Sequence, residues 1–197
     1  MADSLYLSLW FADFSVESMF ARSLAVVREF PFTQQRPGIT FLAVHPVSWS
    51  EPTILEQRFN PGAQPEEAIA ATAGLLHEDY GYVFEANWDL WTPGQGVEEW
   101  VLQPSVVRVI VRGEEFEEGE AKAEGDIEVN FGLDSPFLHE ELELSGELET
   151  RVRANVQSLV DFINRVEKNA GASARLLWSE SDENLAQKLV SRLQRVH

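Results

Sequence analysis

The sequence contains no cysteine. Disulfide frameworks, thiolate metal sites and thiol nucleophiles are thereby excluded, and the chain fits a reducing compartment. Positive charge is scarce: 15 lysines and arginines stand against 33 aspartates and glutamates, for a formal net charge of −18. Gripping phosphate backbones requires clustered bases, so neither nucleic acid nor an anionic membrane is expected as a partner. No apolar run approaches the ~20 residues that a membrane-spanning helix requires. The opening residues, MADSLYLSLWFADF, lack a basic start and carry Asp3 and Asp13, which reads as a strand and not as a secretion signal. A cytoplasmic protein is expected.

Catalytic signatures are missing too. His77-Glu-Asp-Tyr-Gly81 opens like a zinc-protease helix, but Gly81 occupies the position of the second ligand. His139-Glu-Glu-Leu-Glu143 lacks that ligand as well. Gly171-Ala-Ser-Ala-Arg175 ends in arginine where a nucleophile elbow needs a small residue. Gly94-Gln-Gly96 has no third glycine for a dinucleotide turn, and no Gly-Lys-Ser/Thr phosphate loop occurs. Asp126, Glu128, Asn130 and Asp134 offer oxygens, yet Phe131 stands where a calcium loop needs glycine, and Phe137 where it needs a bidentate glutamate. The four histidines, His45, His77, His139 and His197, have no ligand-like spacing. No metal, cofactor or catalytic residue is implied.

What is present suffices for a folded core: 44% of residues are hydrophobic and 11% aromatic. Leu5, Leu7, Leu9 and Phe11 alternate as a first strand. Val16, Met19, Phe20, Leu24, Val27 and Phe30 recur at helical spacing over 15–30, with Ser15 as N-cap and Glu17 in the first turn. Strands over 39–47 and 53–59 follow. Pro65 opens a helix that runs past Ile69, Ala73 and Leu76 and stops at Gly81. A strand over 82–91 completes βαββαβ, the order of a ferredoxin-like, split-βαβ arrangement. Beyond residue 92 the pattern predicts strands over 98–103, 106–112 and 126–131, a helix over 149–168, a short strand over 174–178, and a last helix after Ser181 with Leu185 and Leu189 inward. The expected fold is α+β, mostly antiparallel with helices on one face. A ferredoxin-like half over 1–92 precedes a βββαβα half over 93–197, and one continuous sheet is the alternative.

Charge and tryptophan single out two regions. Residues 113–149 hold 14 acids and one lysine, so −13 of the net charge lies there and about −5 in the remainder. Strands on either side make 113–125 the solvated, flexible tip of a long hairpin. Glu114, Glu115, Glu117 and Glu118 on that tip would form an acidic docking surface for a basic protein. Trp88, Trp91 and Trp100, of six tryptophans, crowd around the 93–96 loop. They pack as core aromatics or form a platform for a ligand or partner. The leading expectation is a non-catalytic binding protein with an acidic surface, an inhibitor or immunity-type partner of a basic protein. The alternative is a small-molecule-binding domain or enzyme with a Trp-lined cleft. Exposed strand edges would also permit a homodimer.

Overall fold

Alternating apolar patterns build seven strands: β1 (Ser4–Trp10), β2 (Ile39–Pro46), β3 (Leu55–Arg58), β4 (Tyr80–Pro93), β5 (Trp100–Arg112), β6 (Ile127–Leu133) and β7 (Ala174–Ser179). The computed structural model describes residues 3–94, 99–138 and 146–180, with Leu185 and Leu189. It joins the strands in one antiparallel sheet of order β3-β2-β4-β5-β6-β1-β7. Helices α1 (Met19–Val27), α2 (Pro65–Ala71), α3 (Ala121–Glu124), α4 (Ser135–Leu138) and α5 (Gly146–Ala170), with 3-10 turns at Ala73–Leu75 and Phe116–Gly119, complete the described elements. The fold is thus α+β.

Each strand sends alternate side chains to opposite faces. Leu5, Leu7 and Leu9, then Tyr82, Phe84, Ala86, Trp88 and Leu90, then Val107, Val109 and Val111, and Ile127, Val129 and Phe131 are all buried. They share one core with Met19, Val26 and Val27 of α1 and with Val152, Val156, Leu159, Phe162 and Val166 of α5. α5 earns its position through a 3.6-residue stripe, while its polar side chain Asn155 is buried for a different reason. The Trp91 backbone N–H donates to Asn155 Oδ1 at 2.9 Å, and Asn155 Nδ2 donates to the Trp91 carbonyl at 2.8 Å. Leu185 and Leu189 are also buried, as their helical spacing implies.

The ferredoxin-like arrangement is not formed. It needs the first four strands as neighbours, but β5 and β6 intervene between β4 and β1, and β1 pairs with β6 and β7. The cause is local. β4 and β5 zip together over thirteen residue pairs, a short-range closure with low entropic cost. β5 then takes the edge that β1 would have needed. The expected division after residue 92 falls inside β4, whose pairing with β5 carries the sheet across it.

Several element boundaries differ for physical reasons. The expected strands over 98–103 and 106–112 are one strand, β5, despite Pro104. Its β6 partners cover Arg108 to Val111, so Pro104 lies where β5 pairs on one side and its missing N–H costs no ladder bond. α1 starts at Met19, not Ser15, after a turn in which the Ser15 carbonyl accepts from Met19 N–H at 2.8 Å. Gly81 is no helix stop: α2 ends at Ala71, a single 3-10 turn follows at Ala73–Leu75, and Gly81 belongs to β4. No helix among the described residues is long and apolar enough to cross a membrane.

Candidate functional site

Among the described residues, α1, α2, α4 and α5 join the core on the first face, and strand register arranges the side chains of the second face in three rows across the strands. One row runs Arg58, Phe41, Glu85, Arg108. The next runs Glu56, Ala43, Val83, Ile110, Glu128. The third runs His45, Gly81, Arg112. The middle row is low because Ala43, Val83 and Ile110 are short or branched close to the backbone. The outer rows stand higher, so a groove of about 380 Å³ crosses the strands between them. Trp49 and Thr53, from the β2–β3 connection, close it at the top.

One wall is built on a missing side chain. A Cβ at Gly81 would lie 2.7 Å from the Phe116 ring, so only glycine lets that ring press onto β4. Phe116 is fully buried there and meets Trp49 edge-on at 4.6 Å. The β5–β6 connection is thus solvated on one side, where Glu114, Glu115 and Glu118 are exposed, and packed onto the sheet on the other, where Phe116 and Ala121 are buried. Phe116 starts a 3-10 turn that leads into α3, and the connection is pinned to its neighbours. Glu115 N–H donates to the Glu78 carbonyl at 2.9 Å, and Glu117 N–H to the Val47 carbonyl at 2.9 Å. Trp49 returns two bonds, from its backbone N–H to Glu117 Oε2 at 2.8 Å and from Nε1 to Glu120 Oε2 at 2.9 Å. Val47, Glu117 and Glu118 adopt left-handed φ of 62°, 48° and 55°. Each costs roughly 1–2 kcal/mol for a side chain with a Cβ, and these bonds hold them there.

Arg112 is the electrostatic centre of this wall. Its side chain is 4% exposed, with Nε donating to Glu120 Oε2 at 2.7 Å and Nη2 to Glu128 Oε2 at 3.4 Å. Its guanidinium lies 5.9 Å from the Trp49 ring centre. Burial pushes the Glu128 carboxyl above its ordinary range even though Arg112 pulls it down, and Glu124 and Glu120 add to the rise. Burial likewise raises Asp126, against the Phe11 N–H bonded to it at 2.8 Å. Tyr82, under the helices, is pushed up to about 12 by burial. At the other wall Arg108 Nε donates to Glu85 Oε1 at 2.9 Å. Among the described residues His45 Nδ1 is buried with no hydrogen-bond partner, and the ring meets Trp49 edge-on at 5.1 Å.

The raised acids set a pH dependence. A carboxyl whose folded pKa exceeds its unfolded one binds its proton more tightly in the native state, so stability falls as pH rises through that window. Melting temperature is therefore expected to rise as pH is lowered from neutral toward the ordinary carboxylate range. Relief of the −18 net charge adds to the rise. Glu128→Gln should flatten part of this slope in calorimetric scans between pH 7.5 and 5, relative to wild type. An unchanged slope would remove Glu128 as a cause.

The residues singled out in the sequence fall in two places. Trp88 and Trp100 are core side chains at 1% and 4% exposure. Trp91 is half-buried with the Arg151 guanidinium 4.7 Å from its ring centre. The three indoles therefore make no common surface. Glu114, Glu115 and Glu118 are exposed, while Glu117 turns inward to bond Trp49. The oxygens considered for calcium are engaged elsewhere: Asn130 Oδ1 accepts from Gly132 N–H at 2.8 Å, and Asp134 Oδ2 accepts from Ser179 at 3.0 Å. His139 and His197 lie outside the described residues. Sequence reading missed His45, Trp49, Glu56, Glu85, Arg108 and Arg112. The available signal was Arg108 and Arg112 interrupting a valine-rich strand on one face, but which neighbours shared that face depended on register.

Comparison of the chain with protein-family models, with curated proteins and with solved structures returned no match.

Proposed function

We propose that the chain is a binding protein that recognises a basic protein partner through the 113–126 connection and the open sheet face beside it. The observation that supports this most directly is a concentrated negative charge on a pinned backbone. Glu114, Glu115 and Glu118 are exposed, as is neighbouring Glu78. Their connection is tied down by Phe116, Trp49 and the Val47 carbonyl. Charges held in place lose little freedom on binding, and a one-signed field speeds encounter with an oppositely charged partner.

The test compares wild type with a Glu114→Gln, Glu115→Gln, Glu118→Gln variant. Both are used as bait in the native cell extract at low and high salt, with captured proteins identified by mass spectrometry. A basic protein held at low salt, released at high salt and lost with the variant supports the reading. With that protein purified, association should slow by about tenfold in the variant at low salt. An identical captured set for both baits overturns it.

A further inference from the structure

We propose that the groove across the open sheet face receives an arginine side chain of the basic partner; this deepens the reading above and rests on it. The groove's floor and mouth are built for such a chain. Ala43, Val83 and Ile110 form an apolar strip two inter-strand steps long, roughly 10 Å, the scale of one extended long side chain. An arginine buries its aliphatic stem on such a strip while keeping its charged end at polar groups.

Charge complementarity chooses the cation. Arg112 is neutralised by Glu120 and Glu128, and Arg108 by Glu85. Glu56, at the β3 end of the strip, has only the Thr53 hydroxyl as a bond donor, at 2.9 Å, and forms no ion pair among the described residues. With Arg58 at the rim counted, three cations (Arg58, Arg108, Arg112) meet four carboxylates (Glu56, Glu85, Glu120, Glu128), so the local balance is negative by one, on a chain of net charge −18. The His45 ring lines the groove beside Trp49. A guanidinium carries five donors in a plane and tolerates aromatic neighbours better than an ammonium does. Phe41 and Trp49 flank the strip as such neighbours, as they already do for the chain's own Arg58 and Arg112, whose guanidiniums lie 5.4 Å and 5.9 Å from the two ring centres. An anion would meet Glu56 with both arginines of the lining already paired, and a purely apolar ligand would leave Glu56 unanswered.

The probe is N-acetyl-arginine amide, with its citrulline counterpart, which has nearly the same shape without the charge. Full-length protein is titrated while the Trp49 indole N–H and the His45 ring are followed by NMR. Saturable shifts at both groups are expected, with dissociation on the order of 1 mM for a ligand this small and roughly tenfold weaker binding of citrulline. Glu56→Gln, at an exposed edge position, should weaken arginine binding several-fold. Ala43→Leu should abolish it by filling the floor, with the unchanged remainder of the spectrum showing that the fold is kept. Absent saturation, equal binding of citrulline, or full binding by both variants overturns the proposal. The titration needs no partner protein. Its failure therefore leaves salt-dependent capture by the acidic connection intact, whereas unchanged capture by the Glu114, Glu115, Glu118 variant sinks the docking reading without touching the titration.

Discussion

Arg112→Ala is expected to destabilise the protein by about 3 kcal/mol at neutral pH, the lower end of the range for removing one partner of a buried ion pair. Two carboxylates depend on that guanidinium. Glu120 is partly exposed and regains water when the arginine is lost. Glu128, 5% exposed at its side chain, does not. Its carboxyl must stay charged without compensation or take up a proton, and its already raised pKa makes the second route accessible. The penalty should therefore shrink as pH is lowered, a signature that loss of packing alone would not produce. At roughly 2–4 °C per kcal/mol for a chain of this size, the melting temperature should drop by roughly 6–12 °C. A double variant, Arg112→Met with Glu128→Gln, should recover much of the loss, because removing both charges leaves no buried ion. Urea titrations of the single and double variants at pH 7 and pH 5.5 decide the matter. A single-variant cost below about 1 kcal/mol, in the range of exposed pairs, would show that the network contributes little.

The second large effect is expected at Trp88. Trp88→Ala should cost about 3–5 kcal/mol, as truncation of a buried aromatic does. The indole is 1% exposed and packs between Phe131 at 5.3 Å, Phe137 at 5.8 Å and Phe30 at 5.9 Å. It thus bonds strands β4 and β6 to the helix layer in one aromatic cluster, and a cavity there cannot collapse without moving all three. Its Nε1–H is buried without a partner among the described residues, which carries a cost of its own. Trp88→Phe removes that donor while keeping most of the ring, so the two effects oppose and its change should stay below about 2 kcal/mol. Denaturation midpoints of the two variants give the answer. A Trp88→Ala protein that melts like wild type would return Trp88 to the surface role.

The contrast between Trp88 and Arg112 shows where legibility ends. Trp88 shares alternation with Phe84, Ala86 and Leu90, so the face it belongs to was readable. Which face of β4 the helices would cover was not, and the loop at 93–96 suggested exposure. The 113–126 connection is a sharper case. Its glutamates and glycines read as a solvated tip because composition averages over residues. One phenylalanine, Phe116, seated on Gly81 thirty-five positions earlier, decides that it folds onto the sheet.

Periodicity by itself determined that this chain is α+β, where nearly all its strands and its long helix run, and that its acids concentrate after residue 112, because side-chain alternation and charge are local properties. Strand order was a tertiary outcome. βαββαβ is one string of elements, and β1 joins β6 and β7 because the short-range β4–β5 closure has already taken the β4 edge. The groove was decided at that same level. Its three rows combine residues from five strands, β2 to β6, and a one-residue slip of β2, β4 or β5 would carry His45, Glu85, or Arg108 with Arg112, to the other face. Their shared face therefore exists only once the sheet has chosen its neighbours.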